Sequence, residues 1–383
     1  MSTSTSTRAT HVARLLAARR ADLGMTLDEV CRKATERGTP MHIPTLWRIE
    51  RGRLDPGVRR LNVLLDIYGI APDLASELAS LDSMVEDLPT GDLFALHQEA
   101  KRAWEHGDVS RTLACAFGVL LQVARTPEER LERQKALLFS AIAARGSGRL
   151  RLAKHIVDDL LCDSPDPSML CDILTLAAGV WRANGSIEVG VALIRQAKTH
   201  VNENDRRRRA RVLHQEAKLL LESGQIEAAA TSLNDAIDDY RAVGETLNEA
   251  RSLILRIAVL EKLGRLDDAI ACARDAAEFC NRSGHALVTT HAYLELGRVL
   301  TAAGRPKDAL VELRRALASA QLLKDRNAEF HAHENLAAAY EALGEKTTAE
   351  EERRLAEAIR GGGLRANPPD SRTRDSAAGR DTT

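Results

Sequence analysis

Apolar residues recur every three or four positions along most of this chain, which is the spacing of amphipathic helices. The segment LILRIAVLEKLGRLDDAIACARDAAEFC shows the pattern twice: Ile254, Ile257 and Leu260 share one helical face, and Ile270 and Ala273 share another after a glycine. Two helices joined by a glycine turn form a hairpin. The pattern predicts an all-α protein that is built largely from such hairpins.

The hairpin recurs seven times over residues 93–360. Its turn glycine has a period near forty, and the residues seven before and five after it are small in almost every unit. Small residues let two helices cross at close range, and a glycine past a helix end adopts the left-handed conformation. Since one hairpin cannot bury its own apolar face, the units must stack into a right-handed superhelix with a concave inner wall. The turn glycines are Gly107, Gly148, Gly185, Gly224, Gly264, Gly304 and Gly344.

These small and glycine positions resemble the tetratricopeptide repeat. The chain departs from that family in its period, about forty residues rather than the usual 34, and in lacking the proline that often closes a unit. Longer helices or longer turns between units would absorb the difference. An unrelated right-handed solenoid of helical hairpins is the alternative, and it predicts the same architecture.

Residues 10–80 do not follow the repeat, and we assign them to a separate domain. Together with residues 81–86 they divide into about five short helical stretches. Thr26 with Glu29 three residues later forms a capping box, and Pro44 suits a first helical turn. The stretch TLDEV…IPTLWRIERGRLDP…LNVLLDIYGI resembles the helix-turn-helix of the lambda-repressor-like (Xre) transcription factors. It carries about five residues more between Val30 and Thr45 than compact members do, so the second helix or the turn is longer.

The resemblance implies that a recognition helix lies in the major groove of double-stranded DNA. Arg48 then suits a bidentate contact to guanine, Thr45 a thymine methyl group or a hydroxyl acceptor, and His42 a base or a phosphate. Arg51 and Arg53 follow the helix and suit phosphates. These side chains are the candidate readers of the DNA.

Three further residues complete the prediction for this domain. Thr26, at the start of the second helix, suits a phosphate contact. Trp47 either lies beneath the recognition helix or is at least half exposed; we favour exposure because Leu46 and Ile49 already supply the inward stripe. Glu50 is expected to tie the helix end to an arginine instead of touching DNA.

Charge is distributed in agreement with this division. The 383 residues carry a net charge of −1 and are 44% hydrophobic, which argues against a disordered chain or one that coats nucleic acid along its whole length. Residues 1–75 hold 12 basic and 8 acidic side chains, while the remainder has a net charge of −5. Basic function must therefore be local, and the basic excess lies where DNA contact is predicted.

In tetratricopeptide arrays the first helix of each unit lines the concave face, so candidate ligand contacts follow from position. The lining is basic, which suits a carboxylate ligand, and asparagine amides hold extended peptide backbones. For each basic residue the alternative is a solvated helix face with ion pairs to its own helix. The candidates are Arg182, Arg211, His214, Lys218, Arg251, His291, Arg298, His331 and Asn335.

The order of the domains resembles the RRNPP peptide-receptor group, in which a secreted peptide shifts a dimer between DNA-binding and non-binding forms. The resemblance implies a bacterial homodimeric regulator in quorum sensing that reads an inverted repeat and responds to a peptide or protein. The alternatives are a protein-interaction scaffold whose helix-turn-helix only docks or dimerises, and a regulator whose repeats dimerise without a ligand.

Other function classes lack support in the sequence. No window is apolar enough for a membrane helix and no apolar leader is present, so we expect a cytoplasmic protein. There is no CxxC pair, phosphate loop or HExxH motif, and His331 and His333 fall on different helical faces. We expect no metal, no cofactor and no enzymatic activity. Flexible segments are expected at residues 1–9, 81–92 as a linker, and 361–383 as a disordered tail.

Overall fold

A computed structural model describes residues 11–72, 74–76, 78–79, 93–105, 109–120, 126–162, 165–202 and 204–361. The predicted flexible N-terminus, the predicted linker 81–92 and residues 362–383 of the predicted tail lie outside the described residues. Every regular element in the described part is an α-helix, which confirms the predicted fold class. By contact the chain divides into two compact units, Met1–Met169 and Leu170–Thr383.

The first four predicted helices are present at the N-terminus, and the fifth is present in part. They are α1 (His11–Asp22), α2 (Leu27–Glu36), α3 (Ile43–Glu50) and α4 (Gly57–Tyr68), and residues 72, 74–76 and 78–79 are also helical. Helix α2 begins with the predicted capping box: the Glu29 amide donates to the Thr26 hydroxyl and the Thr26 amide donates to the Glu29 carboxylate. Pro44 lies in the first turn of α3.

The additional residues before α3 form a long turn. Six residues, 37–42, separate α2 from α3, whereas helix-turn-helix motifs use three or four. Gly38 adopts a left-handed conformation with φ 70°, and the Thr39 amide then donates to the carbonyl of Ala34. Thr39 and Met41 are buried, so the turn is packed against the domain.

The repeat region consists of paired helices in the predicted order. Their bounds are α5 (Leu93–Glu105), α6 (Val109–Leu120), α7 (Pro127–Gly146), α8 (Leu150–Cys162), α9 (Pro167–Ala183), α10 (Ile187–Thr199), α11 (Arg206–Glu222), α12 (Ile226–Ala242), α13 (Thr246–Lys262), α14 (Leu266–Arg282), α15 (Ala286–Ala302), α16 (Pro306–Leu323), α17 (Arg326–Ala342) and α18 (Lys346–Gly361).

Helix length accounts for the long period. Helices α11 to α15 each contain 17 residues and are joined by three-residue turns. Each helix and its turn therefore advance the chain by about twenty residues, and a hairpin by about forty. Of the two explanations for the departure from 34 residues, longer helices are the one that the structure adopts.

A second series of turn residues lies between successive hairpins. Gly244 and Gly284 follow the second helices of their hairpins with φ of 69° and 72°, and the corresponding residue of the next hairpin is Lys324, with φ 53°. Lys324 is the one described non-glycine residue with positive φ. Side chains with a Cβ are strained in this conformation, so a lysine here costs stability.

We expect Lys324→Gly to raise the free energy of unfolding by about 1 kcal/mol, because glycine adopts this conformation without the Cβ clash. Urea denaturation measures the change. The matched control is Gly284→Ala, which should lower stability by a similar amount, since an added Cβ at Gly284 has no heavy atom within 4 Å and meets only backbone strain. A Lys324→Gly variant that is less stable than the parent would contradict this account.

In the hairpins α13–α14 and α15–α16, the two helices cross at a small buried residue. At Gly297 an added Cβ would lie 2.4 Å from Cγ of Leu313. The Leu313 side chain of α16 therefore packs directly against the backbone of α15. The preceding hairpin places the large residue on the opposite helix: Ile257 on α13 and Ala273 on α14 occupy the corresponding positions, both fully buried. Both of these crossings thus accommodate one large side chain opposite a small one.

Gly297→Ile alone should lower the free energy of unfolding by about 3 kcal/mol, because it overfills the crossing. Adding Leu313→Ala should recover more than half of that loss, since the pair then copies Ile257 and Ala273. A double-mutant cycle by urea denaturation tests the coupling. If the losses of stability from the two single variants simply added in the double variant, the idea that a large and a small residue can exchange places at the crossing would be wrong.

The first helices of successive hairpins lie on one side of the array. Among α11, α13, α15 and α17, each first helix packs against the first helix of the next hairpin, and these contacts are more extensive than those between successive second helices. The first helices therefore line one face of the array, and this is the face that the resemblance to tetratricopeptide repeats implies is the inner one. Within the residues described, no helix is both long and apolar enough to cross a bilayer.

Candidate DNA-binding surface and repeat groove

Helix α3 has a buried side and an exposed side, as an amphipathic helix must. Leu46 and Ile49 are 0% and 2% exposed and anchor it in the domain core. The opposite side carries Trp47 and Arg48, both exposed. The inward stripe was correctly predicted, and it fixes which residues of α3 face solvent.

A buried carboxylate holds the end of α3. Glu50 is 7% exposed and accepts hydrogen bonds from Arg20 Nε, at 2.9 and 3.0 Å, and from the Tyr68 hydroxyl, at 2.9 Å. Arg20 also donates to the carbonyl of Met25, at 3.0 Å. The predicted tie between Glu50 and an arginine is confirmed, and it joins α1, α3 and α4.

Burial and the adjacent Glu50 carboxylate raise the pKa of Tyr68. The phenol therefore remains protonated and continues to donate to Glu50 at physiological pH. Neither Arg20 nor Tyr68 was identified from the sequence. An arginine in a basic helix and a tyrosine in an apolar helix carry no local signal that marks them as partners of a distant glutamate.

The exposed side of α3 and the loop after it form a basic surface around Trp47. Trp47 is 40% exposed, in agreement with the expectation, and the guanidinium carbons of Arg51 and Arg53 lie 5.4 and 5.2 Å from its ring centroid. These distances are within the range of cation–π contacts. Arg48 is exposed, and its side chain has no hydrogen bond or ion pair with any described residue.

The other predicted DNA contacts are also accessible. His42 is exposed and is the N-cap residue of α3, but its side chain makes no capping bond, and Thr45 is half-buried. Thr26 is exposed, but its hydroxyl already accepts from the Glu29 amide and donates to the Glu29 carboxylate. The Thr26 side chain is thus committed to the helix cap.

We expect Glu50→Ala to lower the free energy of unfolding by about 2 kcal/mol, because Arg20 and Tyr68 lose their common acceptor in a largely buried position. Thermal or urea denaturation measures this change. As a control, Glu36→Ala removes a glutamate whose partner Arg32 is 64% exposed in its side chain, and it should change stability by less than about 0.5 kcal/mol. Equal effects of the two variants would mean that Glu50 does not hold α3.

In the repeats, three of the eight predicted basic residues form ion pairs: Arg182, Arg211 and Arg298. Arg298 Nη1 lies 2.7 Å from Glu261 and its Nη2 lies 2.8 Å from Glu295, and these carboxylates raise the pKa of Arg298 against the opposing effect of burial. Arg182 is paired with Glu222. Both ion pairs with Glu222 and Glu261 join neighbouring hairpins and therefore strengthen their stacking.

Four predicted residues are packed or partly engaged. His214 does not line an open groove, contrary to expectation: it is 8% exposed, and its Nδ1 lies 2.8 Å from the Ser252 hydroxyl on α13. Lys218 and His331 are half-buried and engaged, His331 edge-on to Phe330 at 5.2 Å. Arg211 lies 3.4 Å from Asp172 and 3.8 Å from Glu245.

The remaining three are Arg251, His291 and Asn335. Arg251 and His291 are exposed and Asn335 is half-buried, and none forms a side-chain hydrogen bond with a described residue. Arg211, Arg251, His291 and His331 are separated by forty residues each and occupy the same position of α11, α13, α15 and α17. They form a basic column along the inner face.

The carboxylates that pair with arginines of the first helices were not predicted from the sequence. Asp172, Glu222, Glu245 and Glu261 lie 36 to 40 residues from the arginines that they pair with. A search for opposite charges one repeat apart would have found them, because stacked hairpins bring such residues together.

Comparison with known proteins identifies both parts. A helix-turn-helix domain model matches residues 11–78, and a tetratricopeptide repeat model matches residues 248–322. The chain is thus an all-helical protein with a DNA-binding type of domain at its N-terminus. It combines this helix-turn-helix domain with tetratricopeptide repeats. No curated protein matches the chain in sequence.

Several solved structures are similar. PlcR from Bacillus thuringiensis, in complex with the peptide PapR7 and DNA, is 15% identical, with 72% of this chain and 96% of PlcR covered and a TM-score of 0.43. RapI in its apo form is 13% identical, with 71% and 77% covered and a TM-score of 0.52. A Rap protein complexed with Competence and Sporulation Factor is 12% identical, with 70% and 76% covered and a TM-score of 0.54. The likeness to the Rap proteins shows a shared repeat fold.

Proposed function

We propose that this protein is a sequence-specific transcriptional regulator that binds DNA as a homodimer and whose repeats sense a peptide or protein. The observation that carries the DNA-binding part is the exposed side of α3: Arg48 has no partner within the described chain, and Arg51 and Arg53 flank an exposed Trp47. An unpaired arginine on a recognition helix is suited to bidentate contact with guanine.

The buried Glu50 supports the same proposal. A recognition helix must be held rigidly if its side chains are to meet particular base edges. Because Arg20 and Tyr68 fix Glu50 from α1 and α4, the orientation of α3 is set by the domain and not by DNA. The exposed arginines are therefore presented in a preformed arrangement.

We expect dimerisation because a single helix-turn-helix domain is small. One helix-turn-helix buries too little surface for high specificity, whereas two half-sites about one helical turn apart roughly double the free energy of binding. We expect an inverted-repeat operator. A ligand that binds more tightly to one arrangement of the two helix-turn-helix domains than to another would change the affinity for DNA by the ratio of its two affinities. This is the simplest way for the repeats to regulate DNA binding.

Selection of bound sequences from a random DNA pool, at two salt concentrations, supplies the operator. On that site Arg48→Ala should cost about 1 to 3 kcal/mol of binding free energy and relax the preference at one position, because a guanine contact is lost. Arg51→Ala should weaken binding evenly across sequences and reduce the salt dependence by about one phosphate contact. Fluorescence anisotropy with labelled duplexes measures both.

The control for these variants is Arg315→Ala, which removes the same charge from an exposed position of α16 where Arg315 pairs with Glu312 at 3.1 Å. It should leave DNA binding unchanged. The scaffold alternative makes a different prediction, because then neither the full chain nor its variants enrich any DNA motif. A regulator whose repeats only dimerise would bind DNA, but changes on the inner face would not alter the response.

A further inference from the structure

Trp47 and two arginines form a cluster on the exposed side of the helix-turn-helix domain. The guanidinium carbons of Arg51 and Arg53 lie 5.4 and 5.2 Å from the centroid of the Trp47 ring. Both distances are short enough for a cation–π attraction. One indole ring is therefore close to two positive charges, and we call these three residues the tryptophan–arginine cluster.

The backbone at the end of α3 brings both arginines to the ring. Arg51 follows Trp47 by one helical turn, and its amide donates to the Trp47 carbonyl at 3.2 Å. Gly52 then adopts a left-handed conformation with φ 65°, and the amide of Arg53 donates to the carbonyl of Arg48 at 2.8 Å. A bond over this span, closed by a left-handed glycine, belongs to a Schellman motif, which turns the chain back on the helix. Arg53 is thereby returned toward Trp47.

Both arginines of the cluster are exposed, and neither has an anionic partner in the described part of the chain. The carboxylate adjacent in sequence, that of Glu50, is buried and accepts from Arg20 and Tyr68 instead. The buried tie that holds α3 therefore also leaves Arg51 without a carboxylate. The indole ring is the contact that orders the two charges, and their N–H groups remain available to an anion.

Prior ordering of a long side chain favours binding. An arginine that moves freely in solution loses the freedom of its rotatable bonds when it contacts a phosphate, whereas an arginine already held against a ring has lost part of that freedom beforehand. A ring attracts the charge of a guanidinium and leaves its N–H groups to donate. The cluster therefore presents two cations that need little further ordering to contact the phosphates of DNA.

We propose that Trp47 is a positioning residue for DNA binding: its ring holds Arg51 and Arg53 in the arrangement in which they contact the phosphate backbone. Trp47 acts through these two arginines and not through a base contact of its own. The inference rests on the proposed DNA-binding function. Because phosphate contacts carry no sequence information directly, Trp47 contributes to affinity and not to the choice of sequence.

The test measures fluorescence anisotropy of the full-length protein with two labelled duplexes, the selected operator and a duplex of unrelated sequence at low salt. We expect Trp47→Ala to weaken binding to both duplexes by about tenfold, because two side chains must then be ordered on binding. The dependence of affinity on salt should stay the same, since both arginine charges are still present. Loss of affinity for the operator alone would contradict the proposal.

A double-mutant cycle shows whether the ring acts through the arginines. In a protein that already carries Arg51→Ala and Arg53→Ala, Trp47→Ala should cause a further loss of less than about twofold, because the ring then has no cation to hold. A loss of the full size in that background would mean that the indole contacts DNA itself or that its removal disturbs the fold. Either result overturns the proposal, as does an unchanged affinity of Trp47→Ala alone.

Two further substitutions test the chemistry of the ring. Trp47→Phe keeps an aromatic face and should recover part of the affinity that Trp47→Ala loses, whereas Trp47→Leu keeps apolar volume alone and should not. Equal affinities of these two variants would mean that packing, and not the attraction between ring and cation, is responsible, and would refute the proposal. The control is Leu322→Ala, which removes an apolar side chain that is 84% exposed on α16 and should leave DNA binding unchanged.

The two duplexes separate failure of this inference from failure of the proposed function. If the parent selects no operator but binds the unrelated duplex, sequence-specific recognition is wrong. The cycle on the unrelated duplex then supports the role of Trp47 if the ring and the arginines are coupled, and overturns it if they are not. A parent protein that binds neither duplex overturns both the proposed function and the role of Trp47.

Discussion

Close crossing of helices at small residues is the constraint on which the repeat region depends. Where Gly297 meets Leu313, no room remains for a Cβ, and Ile257 with Ala273 shows the same crossing with the sizes exchanged. A hairpin that crosses tightly presents its two helices at a fixed angle to the next hairpin. The inner face and its basic column follow from that repeated geometry, because equivalent residues then lie in line.

Much of the fold was predictable because it is local. The turn glycines, the small crossing residues, the capping box at Thr26 and the inward stripe of α3 are all encoded within a few residues of one another. The sequence predicts extra residues before α3 but leaves open whether they lengthen α2 or the turn. The turn takes them up because Thr39 and Met41 are buried against the domain. The positions and order of the helices can therefore be predicted from the sequence, whereas the path of an unusual turn depends on tertiary packing.

The candidate sites were less predictable because charges there act in pairs. Sequence position placed Arg211, Arg251 and Arg298 on one face, but only the structure shows that Arg298 is neutralised by two glutamates while Arg251 is not. His214 illustrates the same limit, since a residue expected to face the groove turns toward Ser252 of the next helix. In the N-terminal domain, Glu50 and Tyr68 are 18 residues apart, beyond the reach of any helical spacing.

The turns within and between hairpins share one backbone conformation. From Gly224 to Gly344 the chain turns through left-handed residues at intervals of twenty, with Lys324 in place of one glycine. Removing or duplicating forty residues at any of these turns therefore joins two ends that already match. Genetic recombination between units could lengthen or shorten the array without creating a new loop, so that the reach of the inner face, and with it the size of a molecule held there, can change in whole steps during evolution.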